Sequence, residues 1–255
     1  MRSHPVRATR NDNPRIVYVN HDEKDASSMN RDDIYGVYGS SGFGRMTMIT
    51  ARQQLATAGV ALDQQVFIDD KPSASVLHGH RVLTYDQFLA EPARNRFVVI
   101  AIADGNIREK LALRCASDGV QAWQVQAPTV EIWDNTTVGE GAILDAFVII
   151  SNDCTIGRHF HANLYSYVGH DCSIGDYVTF APRVSCNGLI VIEDHVYIGT
   201  GAILKQGSPN RPMVIGKGAV IGMGAVVTRS VAAGTTVFGN PAQPLRRAAR
   251  LQLHK

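Results

Sequence analysis

The sequence predicts two architectures in tandem: a small α/β domain with a parallel sheet, then an all-β parallel β-helix. Between Ile34 and Ala116 short apolar runs alternate with helix-like segments. After Pro128 the helical signals stop and an apolar side chain recurs every six residues. Glycine often follows that apolar position, as a coil that must turn repeatedly would require.

The alternation runs through Ile34 to Tyr38, Arg45 to Ala58, Val66 to Ile68, Tyr85 to Leu89, Phe97 to Ala103 and Ile107 to Ala116. Short apolar runs separated by helical segments of this length argue for βαβ units and a parallel sheet over 34–127. Residues 1–33 are rich in both charges around the single run Ile16-Val17-Tyr18-Val19, and they read as a leader of no assigned role.

The repeat is the stronger signal. Stepping by six from Val138 gives Val138, Leu144, Ile150, Ile156, Ala162, Val168, Ile174, Phe180, Cys186, Ile192, Ile198 and Leu204, all apolar. Two positions earlier a second column runs from Ala142 through Cys154, Ser166 and Cys172 to Ala202. A hexad cannot bury a face alone, whereas three make one triangular coil whose inward residues stack into a continuous core. The register breaks between Leu204 and Ile215, which predicts a loop over Gln206 to Met213 in a solenoid spanning 128–248, followed by a short tail at 249–255. Gly139, Gly157, Gly169, Gly175 and Gly199 are expected at tight corners with free φ. Cys154, Cys172 and Cys186 fall in the inward columns and read as core filler.

Composition narrows the function. With 25 Lys and Arg against 23 Asp and Glu, the net charge of +2 offers no general attraction to nucleic acid or to an anionic membrane. No run reaches the length of a membrane span, and no apolar leader follows Met1, so a cytoplasmic protein is expected.

Three clusters carry chemistry. Tyr38-Gly39-Ser40-Ser41-Gly42-Phe43-Gly44 lies between a strand and a helix, where backbone N–H groups can hold a pyrophosphate, or it is simply a tight turn. Its spacing departs from GxGxxG and does not favour NAD. Asp69-Asp70 ends the second strand; by itself it reads as a solvated turn. His170-Asp171 follows Gly169. A histidine is suited to take a proton from an attacking amine, and an adjacent carboxylate can fix its tautomer. Neighbours on a strand point oppositely, so that contact requires a corner. Gly188 lies one coil of eighteen residues further on. His159, His161 and His195 are expected to be solvated surface residues.

The hexads from Thr137-Val138-Gly139-Glu140-Gly141-Ala142 to Val237-Phe238-Gly239-Asn240-Pro241-Ala242, joined to the glycine-rich βαβ domain, resemble the left-handed β-helix sugar acetyltransferases. These include the bacillosamine and perosamine N-acetyltransferases and the sialic-acid O-acetyltransferases. The resemblance covers about residues 34 to 248 and implies the left hand, a homotrimer, acetyl-CoA as co-substrate without a metal, and a UDP- or GDP-linked amino sugar as acceptor. It implies His170 as base with Asp171 and Asn163 beside it, and a sugar nucleotide held by Gly39, Ser40, Ser41, Gly42, Gly44, Asp69 and Asp70. It also implies that the Gly188 N–H faces the thioester carbonyl and that Gly201 and Gly222 let pantetheine approach. One departure is Thr179, where some relatives carry a second histidine. Arg246 and Arg247 read as a solvated basic terminus before they read as a CoA-phosphate site.

The nearest alternative is O-acetylation of a sialic-acid-type sugar, which lacks the diphosphate that the Gly39 loop would hold. A β-helix zinc enzyme would need three converging histidines, and His170 has none stacked one coil above it. A scaffold without chemistry would have no use for His170, Asp171, Asn163 and Gly188 together.

Overall fold

The structure, a computed structural model, describes residues 33–245; the leader up to Asp32, the Arg246-Arg247 pair and the tail lie outside the described residues. The α/β part runs β1 (Asp33–Tyr38), α1 (Gly42–Thr57), β2 (Gln65–Ile68), β3 (Val76–Leu77), β4 (His80–Leu83), α2 (Tyr85–Ala90), β5 (Asn95–Ile100), α3 (Gly105–Ser117) and β6 (Gln121–Ala122). The sheet order is β3-β4-β2-β1-β5-β6, and only β3–β4 is antiparallel. That hairpin escaped the alternation pattern because it is so short; His78 and Gly79 turn it at φ of 49° and 83°. β2 is buried at every position, as expected of a strand covered on both faces.

The first strand of the β-helix, Val125–Gln126, pairs in register with Ile143–Leu144 and precedes the Pro128 boundary that the sequence suggests. The coil has three parallel faces. Face I holds Ile143–Leu144, His161–Ala162, Thr179–Phe180 and Tyr197–Ile198. Face II holds Ile149–Ile150, Tyr167–Val168, Ser185–Cys186 and Ile203–Leu204. Face III holds Thr155–Ile156, Ser173–Ile174, Ile190–Ile192 and Met213–Ile215. Both inward columns are buried, and the break after Leu204 is bridged by a loop that returns to face III at Met213.

The corners work differently from expectation. Gly139, Gly157, Gly169, Gly175 and Gly199 do not have left-handed φ. A Cβ at any of them would come within 2.5 to 2.7 Å of the next coil, so glycine is needed for stacking. The left-handed positions form columns of other residues: Phe147, Tyr165 and Arg183 at corner I/II; Asp153, Asp171 and Leu189 at II/III; His159, Tyr177 and His195 at III/I. A left-handed L-residue costs about 1 to 2 kcal/mol. Here that cost is offset by bonds from each corner N–H to the coil before it, such as Tyr177 N–H to Arg158 O at 2.9 Å, and by ring stacking. His159, Tyr177 and His195 stack at 5.3 Å spacing.

His159 and His161 are buried and the His195 side chain is only 9% exposed, which corrects the expectation that all three are solvated. The α/β domain packs on face I and corner III/I and covers them. Burial, with the Arg108 charge in support, lowers the His159 pKa to about 4 and that of His161 well below its usual value, so both rings are neutral. Arg108 of α3 is the fastening. It donates through Nε to His159 O at 3.0 Å, through Nη1 to Ile102 O at 2.6 Å and Ala103 O at 3.2 Å, and through Nη2 to Val178 O at 3.3 Å. All four acceptors are carbonyls, and burial drops its pKa to about 9.

Asp145 lies 2% exposed at the face I end of corner I/II, bonded by Thr50 of α1, and its Oδ2 has no partner among the described residues. Burial raises its pKa from 3.8 to about 6. A folded value above the unfolded one means that ionisation disfavours the fold, so this group subtracts stability as pH rises through that window and nothing below it. Asp145→Asn should therefore be more stable than wild type at pH 8, by up to about 3 kcal/mol, with the gap closing near pH 4. Urea denaturation at the two pH values checks the sign, and a gap that widens in acid would refute it.

Candidate active site

His170 leaves face II just after Gly169, and Asp171 occupies the left-handed region at φ 56°. That conformation swings the carboxylate back onto its neighbour, and His170 Nδ1 meets Asp171 Oδ2 at 2.7 Å. The corner that the contact required is present. A carboxylate only accepts, so Nδ1 is the donor in this contact, and in the neutral ring Nε2 is the nitrogen left with a lone pair. The imidazole is 44% exposed, outside both core columns. Its ring lies over Gly188, where a Cβ would stand 2.6 Å from Nε2. Any other residue at 188 would displace the ring.

The second cluster gathers at the carboxyl edge of the parallel sheet. Gly39, at φ 113°, donates its N–H to Ile68 O at 2.8 Å, and a Cβ there would press on Ala101 O. A Cβ on Gly44 would overlap the Gly39 carbonyl, so the turn into α1 needs both glycines. Ser41 is the N-cap without a side-chain cap bond, and no acid sits in the first turn, which leaves the amides at Gly42 to Gly44 open to an anion. Ser40 Oγ donates to Asp69 Oδ2, Lys71 N–H donates to Asp69 Oδ1 at 2.9 Å, and Tyr38 donates to Asp70 at 2.7 Å. Burial pushes the Asp69 carboxyl up, but the bonds from Ser40 and the Lys71 amide outweigh it and hold the pKa below the usual range. A fixed carboxylate beside the loop suits hydroxyl or N–H donors such as those of a nucleoside. β2 and β5 flank β1 on opposite sides, so this edge is also the switch point of the sheet.

Other expected residues fall elsewhere. The Asn163 amide is buried at corner I/II and donates to Phe180 O at 2.9 Å, one corner before His170 and without a contact to it. Gly201 takes a left-handed corner at φ 69°. Gly222 makes room for Phe238, whose ring a Cβ would overlap, so this chain already supplies a reason for that glycine. Thr179 is buried and donates to Ala103 O at 3.0 Å, tying face I to the loop after β5. Sequence reasoning missed a cleft of about 350 Å³ between that loop and face I, lined by Ala103, Asn106, Thr179, His195 and Tyr197. No periodic signal could have marked it, because its walls come from both domains. The α/β domain sits on face I, whereas His170 sits at the corner joining faces II and III.

No protein-family model matches the chain. The GDP-perosamine N-acetyltransferase of Escherichia coli O157:H7 is 47% identical over 216 residues, covering 85% of this chain and 98% of that protein. The chain belongs to the hexapeptide-repeat sugar acetyltransferases. The structure of WeeI from Acinetobacter baumannii AYE is 54% identical with TM-score 0.82, covering 84% of this acetyltransferase and 100% of WeeI. At 21% identity and TM-score 0.73, PerB from Caulobacter crescentus, solved with CoA and GDP-perosamine, shares the fold over 84% of this chain and 97% of its own. Among the described residues no group of three or more His, Cys, Asp or Glu is placed to hold a metal ion, and no helix is long and apolar enough to cross a membrane.

His170→Ala should leave the fold of this acetyltransferase intact, because the ring fills no core space, and should lower kcat by about 10²- to 10⁴-fold. Asp171→Asn should cost less, since it weakens the orientation of the imidazole without deleting it. Steady-state kinetics with circular dichroism of both variants checks this; near-wild-type kcat in His170→Ala would remove the residue from the chemistry.

Proposed function

We propose that the chain acetylates the amine of a GDP-linked amino sugar of the perosamine kind, using acetyl-CoA. The observation that carries this is the 47% identity to a GDP-perosamine N-acetyltransferase across nearly that protein's whole length, which includes both the Gly39 loop and the His170 corner. The amine attacks the thioester carbon, its proton goes to His170 Nε2, and the oxyanion forms beside Gly188. Collapse breaks the C–S bond, and the proton passes from His170 to the CoA thiolate. Gly39 to Gly44 with Asp69 and Asp70 hold the nucleotide diphosphate and nucleoside in a Rossmann-like domain, and the coil is left-handed as in the family.

The site is completed by another copy. One chain holds its nucleotide loop on the face I side and its base at corner II/III, so the reading requires His170 of one copy to meet the α/β domain of the next, in a homotrimer. Face II supplies an apolar surface for such packing through the exposed Ile149 and Ile203, with Trp133 and the stacked Phe147–Tyr165 pair at its margins. We place the reaction in the cytoplasm, in keeping with four buried cysteines that stand unpaired.

Turnover assays with GDP- and UDP-linked amino sugars and with a sialic acid should show kcat/KM for the GDP-linked amine at least about tenfold above the others, the discrimination of one good hydrogen bond or a little more. Equal rates would overturn the nucleotide assignment. Co-expression of inactive His170→Ala with the inactive double variant Asp69→Ala, Asp70→Ala should restore part of the activity. If none returns from a mixed oligomer, both halves of the site belong to one chain.

A further inference from the structure

At corner II/III three successive coils each turn one carbonyl into the interior, and a side chain fifteen residues earlier meets it. Thr136 Oγ1 donates to Ser151 O at 2.6 Å, Cys154 Sγ to Gly169 O at 3.1 Å and Cys172 Sγ to Asn187 O at 3.3 Å. Ser166 repeats the device at corner I/II, donating to Ala181 O at 3.0 Å. A buried carbonyl left without a donor would be costly, so these thiols and hydroxyls answer a real demand of the fold. Inward position alone had marked the cysteines as filler.

The consequence lies on the outer side of the same peptides. Among the described residues the cis peptide is Asn240–Pro241, so Asn187–Gly188 is trans. In a planar trans peptide C=O and N–H point in opposite directions. An Asn187 carbonyl turned inward therefore turns the Gly188 N–H to the outside of the coil, at the residue on which the His170 ring lies. That N–H has no acceptor among the described residues. The same sulfur of Cys172 lies 3.6 Å from His170 O, so it touches the peptides on both coils of the site. Cys154 acts likewise on the Gly169–His170 peptide one coil earlier.

We propose that Cys172 is a positioning residue for acetyl transfer: its S–H holds the Asn187–Gly188 peptide so that the Gly188 N–H faces the developing oxyanion. The inference rests on the reading of His170 and Gly188 as the reacting site. The thiol is a steady donor. The Cys154 thiol lowers its pKa, but Cys186 and burial together push it up to about 12. A thiolate would leave the carbonyl facing a second acceptor.

The test compares Cys172→Val, which keeps the volume and loses the donor, with Cys172→Ser, which keeps a donor. Thr136→Val removes the same bond two coils away and serves as the structural control. Cys172→Val should lower kcat about tenfold with KM for acetyl-CoA unchanged, short of the roughly 10²- to 10³-fold of deleting an oxyanion donor. Cys172→Ser should stay near wild type, and Thr136→Val should lower the melting temperature and spare kcat. Should the valine variant fail to fold, Cys172→Ala against Cys172→Ser reads the same contrast. Wild-type kcat in the donor-less variants, or equal losses in Val and Ser, would reduce Cys172 to core filler. His170→Ala measured alongside separates the two claims: if it keeps kcat the site reading itself falls, whereas if it loses kcat and Cys172→Val does not, only the role of Cys172 falls.

Discussion

A coil of the solenoid closes in three hexads, so residues eighteen apart, such as Ile156 and Ile174, stack on one another. Nearly everything else in the β-helix follows from that spacing. Inward positions become columns in which Phe160 and Phe180 pack edge to face at 5.1 Å. Outward positions before the corners must be glycine where the next coil presses closest, as at Gly157 beneath Gly175. The corner residues take left-handed φ whatever their type, because the bonds between coils and stacked rings hold them there. The juxtaposition of His170 and Gly188 is one more product of the same rise: Gly188 is glycine because the His170 ring from the previous coil lies on it.

The α/β domain is held to this rod by polar contacts to backbone more than by charge pairing. Arg108 spends its guanidinium on four carbonyls drawn from the loop after β5 and from two coils. Gln54 of α1 donates to Gln124 O, just before the first strand of the β-helix, and accepts from Gln126 N–H on that strand. Such contacts fix the orientation of the carboxyl edge of the parallel sheet relative to face I, since a planar donor array tolerates little rotation. The same packing buries His159 and His161 as neutral rings, which removes them from any acid–base role and leaves His170 as the exposed member of a histidine–carboxylate pair on the coil.

Much of the coil was legible before any coordinates, because a hexad repeat forces each apolar side chain to one address. The pairing of His170 with Asp171 was equally legible, since two adjacent side chains can meet only where the strand turns. The glycines were misread. A glycine in a repeat can answer either a φ demand or a space demand, and a single sequence does not separate the two. The three other histidines were misread for a related reason: exposure on the rod is decided by what packs against face I, and the hexad pattern carries no record of that partner.

The sequence by itself determined the period, the inward columns, the break after Leu204 and the adjacency of His170 and Asp171, all of which are local or depend on a fixed repeat. Tertiary structure alone decided which face the α/β domain covers and that Asn163 stands a corner away from His170. It alone showed that Cys172 reaches Asn187, and that the Gly39 loop and His170 lie on different sides of one chain. These are relations between segments far apart in the chain. They depend on the angle at which a corner turns a peptide plane and on which surfaces meet, and residue type at a fixed spacing leaves both undetermined.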